Sequence, residues 1–122
     1  MTTRNIIQGY FDSLKANQGW ESFLSEEIQF TNFTSPVRRT TGKLACLEAL
    51  KRFYSMMTVL EIKEIIVDGS KACVLTRYEL QPPGSAVFES HIAEVFEVAG
   101  DKITSFGIYF DSAPYPKRAP EK

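Results

Sequence analysis

The hydrophobic pattern of this chain changes its period near residue 60, and that change constrains the fold more than any other feature. Before it, apolar residues recur at the three- and four-residue spacing of amphipathic helices; after it, they alternate with polar residues as in strands. The strand-like runs read LEIKEIIV, KACVLTRYEL, AVFESHIAEVFEV and KITSFGIYF, separated by the turn signals Asp68-Gly69, Pro82-Pro83-Gly84 and Gly100-Asp101. We therefore predict four consecutive strands that pair as an antiparallel meander.

The N-terminal half predicts three helices. The first is capped by Thr2 or Thr3 and ends near residues 17–19, the second is short and begins near Trp20, and the third follows Thr41-Gly42. The apolar face of the first helix consists of Ile6, Ile7, Tyr10, Phe11 and Leu14, and that of the third of Leu44, Leu47, Leu50, Phe53, Tyr54 and Met57. A strand is expected around residues 28–33, and the polar run SPVRRTTGK after it is expected to be a loop.

These elements predict an α+β fold. Three N-terminal helices should pack on the concave face of a curved antiparallel β-sheet, which together enclose a cone-shaped cavity. We expect a single domain over residues 1–113, followed by a flexible tail over residues 114–122 that is anchored only through Tyr115.

Composition narrows the classes of partner. The 15 acidic and 14 basic residues leave no surplus of positive charge for a phosphate backbone, so we expect no nucleic-acid partner. No apolar run is long enough to span a membrane, and no signal peptide is recognisable, which predicts a cytoplasmic protein without a membrane partner. Cys46 and Cys73 lack metal-ligand spacing and should be buried thiols, and no motif predicts a cofactor or a metal.

Glu94 is the candidate for chemistry inside the cavity. Alternation along its strand places it on the inner face with Phe88, Ser90, Ile92, Phe96 and Val98. If the two central strands pair about a turn centred near Gly84, the inner face also includes Val74, Thr76, Tyr78 and Leu80. Burial among these residues would raise the pKa of the Glu94 carboxyl group.

Other readings of the same residues remain open. Glu94 could face outward or form a structural ion pair, and a register slip of one residue would exchange the two faces of the strand. In the favoured register Arg77 and Glu79 lie on the outer face beside Glu89 and His91. His91 is then expected at the surface or in a dimer contact. Arg38 and Arg39 could hold an anionic substrate at the cavity mouth or belong to a solvated loop.

The order of elements resembles the nuclear-transport-factor-2-like superfamily, and within it the branch of SnoaL-like polyketide cyclases and ketosteroid isomerases. The segments that carry the resemblance are YFDSLKANQGWESFLSEEIQF, GKLACLEALKRFY and VFEVAGDKITSFGIYFD, within residues 4–113. The resemblance implies a pocket protein of cystatin-like α+β fold. It leaves the reaction open, because this fold hosts isomerases, cyclases, dehydratases, epoxide hydrolases and proteins without a known reaction.

The ketosteroid isomerase site carries over in part. The resemblance implies that Tyr10 corresponds to the tyrosine that donates a hydrogen bond to the substrate oxygen, and Glu94 to the protonated acid that is the second donor. The general base of that family is an aspartate at the position where this chain has Asn32. Because an amide cannot accept a proton at ordinary pH, Asn32 argues against the same isomerisation and is instead a candidate ligand contact.

Asp111 resembles the acidic residue that SnoaL-like cyclases carry after an aromatic residue near the chain end. Strict alternation with Phe106, Ile108 and Phe110 turns Asp111 away from the cavity, so we weigh a strand-terminal cap against catalysis. No Asp-Arg-Asp set of the epoxide hydrolases is recognisable. The candidate catalytic residues are Tyr10, Glu94 and Asp111, and the candidate ligand contacts are Asn32, Tyr78, Ile92, Phe96, Phe106 and Phe110.

Three functional hypotheses follow. The first is a protein with an apolar pocket for a small ligand or substrate, acting as an isomerase, cyclase or lyase on a small carbonyl compound. The second is a non-catalytic ligand-binding or interaction module that forms a homodimer through the outer face of the sheet, where Leu75, Val87 and Val95 are expected. The third, a docking protein, has no distinguishing feature in the sequence.

Overall fold

Residues 2–34 and 36–115 are described by a computed structural model, and they form an α+β fold. The helices are α1 (Thr3–Lys15), α2 (Lys43–Tyr54) and a short 3-10 helix (Trp20–Phe23). The strands are β1 (Leu24–Asn32), β2 (Arg38–Thr41), β3 (Met57–Asp68), β4 (Lys71–Leu80), β5 (Phe88–Ala99) and β6 (Lys102–Phe110).

The six strands form one sheet in the order β2-β1-β6-β5-β4-β3. The predicted meander is confirmed, since β3 to β6 pair with their sequence neighbours in antiparallel fashion. The sheet as a whole is mixed, because β1 runs parallel to β6. A wholly antiparallel sheet was therefore the wrong prediction. Alternation identifies a strand, but it does not give the direction in which a strand pairs with one that is distant in sequence.

The prediction of three N-terminal helices is not confirmed. Thr2 caps α1 through its side-chain oxygen, as expected, but the second helix is only a 3-10 turn of four residues. Gly19, at a positive φ of 78°, redirects the chain before this turn, and β1 begins directly after it at Leu24. The run SPVRRTTGK is also not wholly a loop, since Arg38–Thr41 form β2 and pair with β1.

The register between β4 and β5 is the one centred on Gly84. Thr76 lies opposite Ile92, and Val74 lies opposite Glu94, so both strands direct the expected residues inward. On the outer face Arg77 forms ion pairs with Glu61, Glu79 and Glu89. The hydrogen bond from Arg77 lowers the pKa of Glu61. The outer-face prediction for Arg77 and Glu79 is therefore confirmed.

Both α-helices cover the concave face of the sheet. An aromatic cluster of Tyr10, Phe11, Phe96 and Phe106 is fully enclosed between α1 and the middle strands, with most rings edge to face. Register shifts in the β3–β4 pairing after Ile62 and in the β5–β6 pairing after Glu97 interrupt the regular ladders. Such irregularities bend a strand and increase its twist. These bends make the sheet concave. The helices fill one end of the concave face and leave a cavity at the other end.

The C-terminal segment closes one side of that cavity. The ring of Tyr115 packs against Phe88 and Phe110, and its hydroxyl group shares a 2.7 Å hydrogen bond with that of Ser90. Residues 116–122, where most of the expected flexible tail falls, lie outside the described residues. Within the part of the chain that is described, no helix is both long and apolar enough to cross a membrane.

Candidate functional site

The cavity has a volume of about 870 Å³, within the range of sites for small organic ligands. Most of its wall is apolar, contributed by α2 and by the inner faces of β1, β5 and β6. The apolar lining residues are Phe30, Pro36, Ala49, Leu50, Phe53, Met56, Ile92, Phe106, Ile108, Phe110 and Ala113. The polar or amphipathic ones are Asn32, Thr34, Arg38, Thr40, Arg52, Tyr54, Tyr78, Glu94, Ser112 and Tyr115.

Glu94 is the one carboxylate among these lining residues and is 2% exposed. One of its oxygens, Oε2, accepts hydrogen bonds from the hydroxyl groups of Thr76 at 2.8 Å and Tyr78 at 2.9 Å. Burial raises the pKa of Glu94 from an ordinary 4.5 to about 7, and the two hydrogen bonds lower it in part. The carboxyl group therefore changes its charge near neutral pH.

The second oxygen of Glu94, Oε1, has no protein partner among the described residues. It is not sealed in the core either, because no enclosed side-chain oxygen or nitrogen of the described residues lacks a hydrogen-bond partner. Since Glu94 lines the cavity, Oε1 is the oxygen that a ligand or water can reach. Tyr78 and Thr76 thus hold one side of the carboxyl group and leave the other free to exchange a proton.

The Thr76 hydroxyl group can adapt to the charge of Glu94. It lies 2.8 Å from Oε2 and 3.2 Å from the backbone carbonyl oxygen of Ile92, and it has one proton for these two acceptors. An ionised Glu94 attracts that proton to Oε2. If Oε2 itself carries a proton, it can donate to Thr76, which then donates to the Ile92 carbonyl. The Thr76 hydroxyl group therefore forms a hydrogen bond with Oε2 in either charge state of Glu94.

Tyr54 takes the position at the cavity wall that the sequence suggested for Tyr10. Tyr10 is fully buried and absent from the cavity lining, and its hydroxyl group lies 2.5 Å from that of Tyr54. Because a buried hydroxyl proton needs an acceptor, and Tyr54 is the one described partner of Tyr10, we assign Tyr10 as the donor. The proton of the Tyr54 hydroxyl group is then not used in this hydrogen bond, and Tyr54 is part of the cavity wall.

Burial keeps these phenols protonated. It raises the pKa of Tyr54 and Tyr78 well above the ordinary value, and the nearby Glu94 charge raises both further. The pKa of Tyr10 is also raised, mainly by burial. Tyr54 and Tyr78 are consequently hydrogen-bond donors rather than bases at any pH near neutrality.

The remaining candidate residues divide between cavity and core. Asn32 lines the cavity, and its side-chain oxygen accepts a hydrogen bond from the backbone of Thr34, so its amide NH₂ group is left for a ligand. Phe96 is buried in the aromatic cluster and does not line the cavity. Asp111 is exposed and accepts a hydrogen bond from the backbone N–H of Ala113, which is the capping alternative.

Of the nine candidate residues, the cavity brings together Asn32, Tyr78, Ile92, Glu94, Phe106 and Phe110. Tyr10, Phe96 and Asp111 lie outside its wall. Tyr54 and Arg52 were missed, although both belong to the α2 segment; Tyr54 was assigned to an apolar packing face, and Arg52 carried no signal of its own. In the described residues no group of His, Cys, Asp and Glu side chains is arranged to hold a metal ion.

The model of a family described as SnoaL-like domain matches residues 7–106 of the chain. Solved structures share the fold at low sequence identity. A nuclear-transport-factor-2-like protein from Burkholderia thailandensis E264 superimposes with a TM-score of 0.79 at 14% identity, covering 93% of each chain. A search of curated proteins finds no match.

Two further structures carry names that suggest a reaction. A proposed SnoaL-like polyketide cyclase from Jannaschia sp. CCS1 has a TM-score of 0.77 at 14% identity, over 92% of this chain and 87% of that one. A proposed ketosteroid isomerase from Kribbella flavida DSM 17836 has a TM-score of 0.73 at 18% identity, over 98% and 91%. At these identities the likeness establishes the fold.

Proposed function

The chain belongs to the family of SnoaL-like domains in the nuclear-transport-factor-2-like superfamily, and from this premise we propose that its cavity binds a small, mainly apolar carbonyl compound on which Glu94 performs proton transfer. The observation that carries the proposal is the state of Glu94. Its pKa is raised to about 7, and its free oxygen faces an apolar cavity. A general acid or base is most effective when its pKa lies near the working pH.

Proton transfer next to a carbonyl group uses the cavity as follows. Oε1 of ionised Glu94 removes a proton from the carbon beside the carbonyl, and the electron pair of that C–H bond forms the enolate. The Tyr54 hydroxyl group donates a hydrogen bond to the carbonyl oxygen as its negative charge develops. Protonated Glu94 then returns the proton to another carbon of the ligand. This sequence describes an isomerase, and the same enolate could instead attack a second carbonyl, as in a cyclase, or expel a leaving group, as in a lyase.

Filling the cavity should abolish both binding and turnover. Ala49 lines the cavity on α2, so Ala49→Phe places a ring in the ligand space, whereas Leu44→Phe adds the same ring at a position that is 83% exposed. The probe is 2-tetralone, a bicyclic ketone with exchangeable protons beside its carbonyl. We expect the unmodified protein and Leu44→Phe to bind it and to accelerate its deuterium exchange in D₂O. Ala49→Phe should do neither, although its circular dichroism spectrum is unchanged.

The outcomes of this experiment separate the first two functional hypotheses, an enzyme and a non-catalytic ligand-binding module. Binding of 2-tetralone and of related apolar ketones, without acceleration of exchange, would support the non-catalytic ligand-binding module. If Ala49→Phe binds the ketone and accelerates its deuterium exchange as well as Leu44→Phe does, the cavity is not the site of binding and exchange. Exchange is measured by proton NMR against a protein-free buffer control.

We also propose that the chain forms a homodimer through the outer face of the sheet. Val59, Ile66, Val95 and Tyr109 are exposed there, and a partner sheet would remove these apolar side chains from water. Val95 lies on β5, which has a neighbouring strand on each side, and it is flanked by Cys73 of β4 and Gly107 of β6. It is therefore central to the proposed contact.

A charge at the centre of this face should dissociate the dimer. We expect Val95→Lys to weaken association by at least about 10-fold, because the charge of a lysine on each copy would have to be desolvated. Sedimentation velocity measures the shift toward monomer, and Leu44→Lys on α2 is the control that should leave the dimer intact. A monomeric unmodified protein, or a dimer unaffected by Val95→Lys, would contradict this interface.

A further inference from the structure

Two arginines line the mouth of the cavity from different elements. Arg38 comes from β2, where it lies opposite Asn32 of β1, and Arg52 comes from the last turn of α2. Both are exposed at the surface while contributing to the cavity wall. The wall of the largely apolar cavity therefore includes two solvent-exposed arginines.

Neither guanidinium is neutralised by a carboxylate of the described residues. The ion pairs of that part of the chain involve Lys43, Lys71, Arg77 and His91, and not Arg38 or Arg52. Two acids are next in sequence to residues of the cavity wall. Glu48 is one helical turn before Arg52 but forms no ion pair with it, and Asp111 instead caps the backbone of Ala113. The mouth is consequently cationic, although the whole chain has a net charge of −1.

The neighbours of these arginines show that the placement is not a general property of the basic residues. Arg39, next to Arg38 on β2, does not line the cavity and donates a hydrogen bond to the Thr31 hydroxyl group. Lys51, next to Arg52, shares the last turn of α2 and can offset the helix dipole equally well. It too is absent from this cavity wall. The helix dipole alone therefore does not explain why Arg52, and not Lys51, lines the cavity.

We propose that the natural ligand carries a carboxylate at one end, held between Arg38 and Arg52, while its apolar body and carbonyl group extend inward toward Glu94. This proposal rests on the function proposed above and names the class of ligand: a carbonyl compound that is also a carboxylic acid. Guanidinium groups suit this task because their planar N–H forks match the two oxygens of a carboxylate. The Asn32 amide, which lies opposite Arg38, can add a further donor.

The arrangement also separates the charges of ligand and protein. Glu94 lies in the buried interior, and the two arginines lie at the exposed rim, so a ligand held at the rim keeps its carboxylate away from that of Glu94. A bound carboxylate at the rim remains partly hydrated. Each arginine should therefore add a modest factor to affinity, and salt should reduce it.

The test uses three probes with the same apolar body and different charge: 1-naphthylacetate, 1-naphthylacetamide and 1-naphthylmethylamine. Their dissociation constants are measured at constant pH by titration calorimetry. We expect the carboxylate to bind roughly 10-fold more tightly than the neutral amide, and the amine to bind most weakly. Arg38→Gln and Arg52→Gln should each reduce the preference for carboxylate over amide by roughly 3- to 5-fold, and the double variant should remove it.

Arg39→Gln and Lys51→Gln are the matched controls, since each removes a positive charge next to a mouth arginine without altering the cavity wall. Equal affinity for carboxylate and amide, or an equal loss of preference in the controls, would overturn the proposed carboxylate site while leaving the cavity as the ligand site. Failure of all three probes, and of 2-tetralone, would instead contradict the proposed function itself. The two proposals can thus fail separately.

Discussion

Glu94→Gln is expected to slow the protein-catalysed deuterium exchange of 2-tetralone by a factor of about 10² to 10⁴, the usual contribution of a general base. Glutamine has nearly the shape of glutamate, and its side-chain oxygen can still accept the hydrogen bonds of Thr76 and Tyr78. The amide nitrogen that then replaces Oε1 cannot take up a proton. The variant should therefore retain the affinity for the ketone and lose the rate, a separation that proton NMR exchange rates and calorimetry together measure.

The pH profile of the same reaction distinguishes the two roles of Glu94. As a base, Glu94 is active when ionised, so exchange should rise with pH and level off above its pKa of about 7. As a protonated donor to the ketone oxygen, it would be active below that pKa, and the rate of exchange in the presence of the protein would fall as the pH rises across the same range. The profile of Glu94→Gln should lack this step.

Glu97→Gln is the matched control for Glu94→Gln. Glu97 lies on the same strand, β5, but on the outer face, where it pairs with Lys71. The substitution Glu97→Gln makes the same change of charge as Glu94→Gln, at a residue that does not line the cavity. If both variants exchange the ketone at the rate of the unmodified protein, proton transfer by Glu94 is wrong; if both lose activity equally, the effect is one of overall charge.

The sequence predicted the inward placement of Glu94 correctly, because the hairpin signal and the alternation of apolar and polar residues support one another. The turn around Gly84 specifies which residues of β4 and β5 lie opposite, and alternation then specifies the face of every residue along both strands. A slip of one residue would put Val74, Thr76 and Tyr78 on the face opposite to Glu94, whereas the register centred on Gly84 buries them together. Local chemistry and the period of the strand were sufficient for this part of the site.

The tyrosine pair illustrates what the sequence could not predict. Tyr10 and Tyr54 both lie on apolar faces of their helices, and helical periodicity treats them alike. The difference between them depends on how closely each helix approaches the sheet, which is set by the packing of Phe11, Phe96 and other distant side chains. α1 covers the aromatic cluster closely, whereas the end of α2 overhangs the cavity and brings Tyr54 and Arg52 to its wall.

Strand β2 was missed for a related reason. Arg38–Thr41 are polar, and their inner-facing residues meet the cavity mouth rather than a packed core, so no hydrophobic alternation identifies them. Their pairing depends on β1, with which they share backbone hydrogen bonds. A strand whose inward side chains line an open cavity, and not a packed core, therefore has the polar composition that is typical of a loop.

The folding stability of the protein is expected to fall by about 3 kcal/mol between about pH 4.5 and pH 8 because of Glu94 alone. The folded-state pKa of about 7 is raised above the ordinary value of 4.5. Below that ordinary value the carboxyl group is protonated in both states and makes no difference. As the pH rises, the unfolded chain loses its proton first, so unfolding becomes more favourable until Glu94 also ionises in the folded state.

Comparison with Glu94→Gln isolates this contribution from those of the other carboxyl groups. The unmodified protein and the variant should have similar free energies of unfolding in urea at the acidic end of this range. At pH 8 the variant should be more stable by about 3 kcal/mol, because it carries no charge that must remain buried. A difference between the two that is constant with pH would contradict a raised pKa. The same burial that suits Glu94 to proton transfer near neutral pH thus destabilises the fold there, and a gain in stability accompanied by a loss of exchange in one variant would measure both effects of that burial.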